Sequence, residues 1–204
     1  MADKYDLANL SIDELPVITP TTSDYVPVYD ASAIRWGKVA ASADLAGVTA
    51  TATEINRVAD TSARLVAAGG TLSATEALHD GKTILLDTAA GSVVTLPAAT
   101  GSGARYRFLV SVTATSNSHI VKVANASDFM SGFVDVLDQD GTTVAAYKAD
   151  GSADDTLTMN RTTTGGVIGD WFEVEDMKAN LWHVRGRITC VAGSNVADPF
   201  SATV

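Results

Sequence analysis

Three kinds of side chain in this sequence have the character needed for chemistry: histidines, clustered carboxylates and one thiol. His79, His119 and His183 lie far apart in the chain. A metal centre needs three or four ligands in defined geometry. His119 and His183 fall in predicted strands and can approach each other, but no third ligand accompanies them, so all three read as structural. Asp138-Gln139-Asp140-Gly141 opens like a calcium loop, yet the glycine follows too early and the closing bidentate glutamate is missing. Asp150, Asp154 and Asp155 cluster in the next loop and have the oxygen chemistry for a hard cation. Acidic turns on a chain this acidic are more simply solvated. Glu173 and Glu175 share one face of a predicted strand. Paired carboxylates cleave glycosidic bonds only at particular separations, and a solvated strand face accounts for this pair equally well.

Other signals are weaker. Ala99-Thr100-Gly101-Ser102-Gly103 is glycine-rich but precedes a strand and lacks the lysine of a phosphate cradle, so it reads as a turn. No serine occupies a G-x-S-x-G elbow. Cys190 reads as a small core residue, and a single cysteine excludes an intrachain disulfide or a cysteine-based zinc site. The residues therefore assign no catalytic, cofactor-binding or metal-ligating position, and no enzyme is expected.

The elements that would position these residues are mostly strands. Gly165–Arg187 reads as two strands joined tightly, with Trp171, Phe172, Glu173, Val174 and Glu175 alternating on one and Trp182, His183, Val184 and Arg185 on the other. Two of the chain's three tryptophans lie here, and a chain with 6% aromatics must nucleate its core where its aromatics are. Further strands are predicted over 83–87, 92–96, 105–114, 119–124, 133–138, 143–148 and 156–159. Turns separate them at Asp87–Gly91, Ala99–Gly103, Ser116–Ser118, Gln139–Gly141 and Asp150–Asp155. No fixed-period repeat is apparent, which speaks against a solenoid or propeller.

The first third of the chain differs. Residues 1–24, broken by Pro16 and Pro20, read as an irregular arm. Tyr25–Tyr29 and Ile34–Val39 form a predicted hairpin that must dock elsewhere, because an isolated two-stranded hairpin is marginal in water. Thr51-Ala52-Thr53-Glu54 is a capping box, which satisfies the free N–H groups of a helix start. Ile55, Val58 and Ala59 follow at helical spacing, with Leu65 extending the stripe. So short a helix must bury that stripe, either on its own domain or on a symmetry axis between copies. Gly69-Gly70 closes the segment as a joint.

The formal charge of −10 and sequence pI near 4.5 lack the positive footprint that nucleic acid or an anionic membrane requires. The opening MADKYDLANL has no apolar signal region and no run of 18 apolar residues exists, so a protein made in the cytoplasm is expected.

Leu15–Leu45 with Gly47–Asn56 (GVTATATEIN) resembles the N-terminal region of virion proteins of tailed bacteriophages. Val93–Gly103 (VVTLPAATGSG), Asp128–Gly132 (DFMSG), Thr163–Trp171 (TTGGVIGDW), Trp182–Gly186 (WHVRG) and Pro199-Phe200 resemble the C-terminal β-domain of such proteins. The resemblance implies a non-enzymatic virion protein without cofactor, a homotrimer decorating and stabilising the outer surface of a phage capsid, with the major capsid protein as partner. Leu15, Tyr25, Val28 and Trp36 would anchor it to the shell, and Ile55, Val58 and Leu65 would form the oligomer interface. The chain lacks the repetitive shaft of a fibre, but a tail-fibre or receptor- and glycan-binding module remains the alternative. Its discriminator is whether Trp171 or Trp182 is exposed. The expected fold is mainly β. An N-terminal extended arm with a small hairpin (1–48) and a short helix with its joint (49–70) precede an antiparallel β-sandwich or jelly-roll-like domain (71–204).

Overall fold

The computed structural model describes residues 25–30, 35–40, 50–51, 55, 64–191 and 195–204. The chain divides into two compact units, Met1–Ala52 and Thr53–Val204. In the first, strands β1 (Tyr25–Asp30) and β2 (Arg35–Ala40) pair antiparallel, Tyr25 opposite Ala40 and Tyr29 opposite Trp36. The expected hairpin is present. Register puts Tyr25 and Trp36 at positions on one face and Val28 at a position on the other. Leu15 and Val58 lie outside the described residues. Ile55 is helical and partly exposed, at 38%.

The second unit is mainly β. It begins with β3 (Leu65–Ala67) and β4 (Thr71–Ser73), then the single-turn helix α1 (Glu76–His79), β5 (Thr83–Leu86) and β6 (Val93–Thr95). There follow β7 (Arg105–Val110), β8 (His119–Lys122), β9 (Phe129–Asp138), β10 (Val144–Asp150) and β11 (Thr156–Met159). The unit closes with β12 (Trp171–Lys178), β13 (Leu181–Cys190) and β14 (Phe200–Ser201). Leu65 therefore stands in a strand, not on the helical stripe, and the β-structure starts before residue 71.

Seven strands form one sheet in the order β10-β9-β13-β12-β7-β5-β3, and five form the other in the order β14-β11-β8-β6-β4. The expected antiparallel arrangement is corrected: both sheets are mixed. From β3 to β8 the chain crosses to the opposite sheet after every strand. Each return to a sheet runs in the same direction as before, so β3, β5 and β7 pair parallel, as do β4, β6 and β8. Register partners Leu65, Thr83 and Arg107 are unevenly spaced in sequence, which is why this winding leaves no fixed period.

Side chains from both sheets fill one core, as a sandwich requires. The β12–β13 hairpin runs through the middle of the larger sheet. Trp182 is fully buried, tilted against Tyr106 with ring centroids 5.8 Å apart. Phe172 stacks on Phe108 at 4.7 Å, its cross-strand partner. Gly186 lies opposite Phe172, and a Cβ there would come within 2.3 Å of the Phe172 Cβ.

Buried aspartates hold the loops. Asp128, Asp138, Asp155, Asp170 and Asp176 are all nearly inaccessible. The Asp176 carboxylate accepts from the backbone N–H groups of Thr100, Gly101 and Ser102 at 2.8–3.1 Å and from the hydroxyls of Thr100 and Ser102. The glycine-rich turn thus does cradle an anion, but the anion belongs to the chain. Burial alone would raise the Asp176 pKa; these donors outweigh it and hold the carboxyl below its ordinary value. Asp155 accepts from the N–H groups of Thr203 and Val204, tying down the last residues.

Candidate functional site

Strict alternation on β7, β12 and β13 turns Tyr106, Phe108, Phe172, Val174, Trp182 and Val184 inward, so the residues between them face outward together. Pairing then lays these out in rows across the larger sheet. One row runs Leu109, Trp171, Arg187, Asp135; the next Thr83, Arg107, Glu173, Arg185, Phe133; the third Arg105, Glu175, His183, Ser131. The middle of this lattice is a shallow groove of about 350 Å³, lined by residues of β5, β7, β12 and β13.

Glu173 and Glu175 do share this face, and each has an arginine. Arg185 donates to the Glu173 carboxylate through Nε at 3.1 Å and Nη2 at 2.9 Å, and Arg105 donates to Glu175 at 2.8 Å. Arg187 reaches Asp135 at 3.2 Å. These pairs are solvent-exposed, so each contributes roughly 0–1 kcal/mol to stability. The Glu175 carboxylate, with burial opposing it, raises the Arg105 pKa and keeps that cation charged. Arg107 differs. Its guanidinium lies over the Trp171 ring, 5.6 Å from the centroid, and no carboxylate pairs with it among the described residues. The groove offers fixed donors and acceptors side by side, with one cation in surplus.

The histidines do not meet. His183 faces the groove from the larger sheet, whereas His119 is buried on β8 of the smaller one. There its Nδ1 accepts from Ser92 N–H at 3.0 Å and its Nε2 donates to the Val112 carbonyl at 2.9 Å, the tautomer assigned from those partners. Burial lowers its pKa, against the Val112 hydrogen bond. His79 is also buried, its Nδ1 accepting from Thr75 N–H at 2.9 Å.

The acidic loops are occupied by their own backbone. Asp138 accepts from Thr142 N–H at 2.8 Å and from its hydroxyl. Asp140 accepts from the same hydroxyl. Asp150 accepts from the N–H groups of Ser152, Ala153 and Asp154, which bring its pKa down to about 2, while Asp154 accepts from Asp150 N–H. Among the described residues no group of three or more His, Cys, Asp or Glu could hold a metal ion. Cys190 is buried, as expected for a core residue. Trp182 is fully buried and offers no binding surface, and Trp171 is half-buried beneath Arg107.

Sequence reasoning passed over the arginines. The patterns Arg105-Tyr-Arg107-Phe and His183-Val-Arg185-Gly-Arg187 carried the signal, but only cross-strand register reveals that they meet. Comparison of the chain with family models, curated proteins and solved structures found no match. No helix among the described residues is long and apolar enough to cross a membrane.

Proposed function

We propose that this chain is a non-enzymatic structural protein of a tailed-phage virion. It decorates and stabilises the outer surface of the capsid as a homotrimer, held to the major capsid protein by its N-terminal arm. The observation that carries this reading is the division of the chain. A 52-residue unit whose described structure is a lone two-stranded sheet precedes a β-unit with its own complete core. Two strands alone are marginal in water, and this supports a partner as the source of the first unit's stability. The motif order that resembles phage virion proteins names the kind of partner. The second unit suits an exposed position: buried aspartates pin its loops, and its outer sheet face is charged. Three linked arms would bind a shell far more tightly than one.

The test is co-sedimentation with shells of the cognate phage that lack the protein, with the disruption temperature of the shells as a second readout. The full chain should bind and raise that temperature, and removal of Met1–Ala52 should abolish both effects. Binding that survives the truncation overturns the anchoring assignment.

A further inference from the structure

We infer that the groove on the larger sheet binds a sugar bearing a carboxylate, its acid group on Arg107 and its hydroxyls on the Arg105–Glu175 and Arg185–Glu173 pairs. The first argument is charge. The chain carries −10 overall, yet in this groove three guanidinium groups, of Arg105, Arg107 and Arg185, stand against two carboxylates. Arg105 and Arg185 are matched at 2.8 and 2.9 Å, which leaves the Arg107 charge to an incoming anion. The planar fork of a guanidinium suits a carboxylate, which it engages through two parallel hydrogen bonds.

The second argument is the alternation of donors and acceptors. A hydroxyl both donates and accepts, whereas a phosphate at neutral pH mainly accepts. Phosphate or nucleic acid would bring several anionic oxygens against Glu173, which stands between Arg107 and Arg185 in register, and against Glu175, which stands between Arg105 and His183. A sugar brings one acid group and sets hydroxyl donors against those carboxylates. A neutral sugar would satisfy those carboxylates but leave Arg107 unmatched. A sugar with one acid group and several hydroxyls uses Arg107 and both arginine–glutamate pairs at once. Trp171 acts as a positioning residue: its ring holds the Arg107 guanidinium and lowers the entropy lost on binding. Neither argument depends on a capsid, so the inference stands apart from the decoration reading.

The experiment is calorimetric titration of the purified full chain with digalacturonic acid and with sialyllactose, against neutral lactose and inorganic phosphate. At least one acidic sugar should bind saturably and at least tenfold more tightly than lactose. Arg107→Gln should remove that preference, and Glu173→Gln should weaken acidic-sugar binding severalfold, both with unchanged melting temperature. No saturable binding of either acidic sugar overturns the inference. So does unchanged binding in Arg107→Gln. Phosphate binding that is strengthened by Glu173→Gln, without a preference for sugars, would establish a plain anion site instead.

Discussion

Aspartate is this chain's working residue inside the β-unit, where Asp128, Asp138, Asp155, Asp170 and Asp176 are buried. Asp176 shows why the replacement of a carboxylate by its amide should be felt. An amide at this position would keep one oxygen for donors that now share two charged ones, and charge-assisted hydrogen bonds are about twice as strong as neutral ones. Asp176→Asn should cost about 2 kcal/mol in urea unfolding. Because the folded carboxyl lies below its ordinary value of 3.8, its contribution is complete above that pH and is lost as pH falls through the lower folded value. The variant should therefore show a shallower acid limb below about pH 4. Asp170 works the other way: burial raises its pKa, so its charging costs stability as pH rises. His119 adds a separate window. Its folded pKa lies below the ordinary 6.5, so the unfolded chain binds more protons just beneath that value. Stability should fall as the pH drops through 6.5, and His119→Gln, though less stable overall, should lose that part of the slope in a series of thermal melts.

At the scale of elements, the β12–β13 hairpin depends on a glycine for space. Gly186 has no unusual backbone conformation, yet an added methyl would collide with Phe172, itself wedged on Phe108. Gly186→Ala should cost about 1–3 kcal/mol or more, as overpacking does. Gly103, with φ of 76° and open space around it, gives a comparison in which only backbone strain acts. Gly103→Ala should cost about 1 kcal/mol, and a larger loss there than at Gly186 would refute the packing account. This hairpin was also the most legible part of the sequence, because a buried strand beside a solvated face writes a period of two. Thr156–Met159 is legible for a different reason, the acidic turn Asp150–Asp155 that precedes it. The strands Leu65–Ala67, Thr71–Ser73 and Phe200–Ser201 are too short to show any period, so the sequence does not mark them. Alternation also tells which face a residue takes but not which strand lies beside it. That is why the parallel winding and the Arg107 groove are not legible in the sequence, whereas Glu173 and Glu175, neighbours on one strand, are.

For the whole molecule, the decisive quantity is how many chains associate and through which segment. Ile55 opens a predicted apolar stripe and is 38% exposed, which is the reason to test it as a contact between copies. If three copies meet there, the second unit has its own core and should stay folded when they separate. Ile55→Asp with Val58→Asp should then turn a species of three times the 21.1 kDa chain into a monomer, measured by light scattering, while the main thermal transition is kept. Charge sharpens the expectation. Each chain would bring −10 to such an assembly, so three copies would repel one another at low ionic strength. Raising salt from about 0.01 to 0.15 M shortens the Debye length from about 30 to 8 Å, and the trimer should tighten over that range. A wild-type monomer throughout, or a mutant that remains trimeric, would remove the stem from Ile55 and Val58. Association that weakens with salt would instead point to opposite charges meeting across the interface.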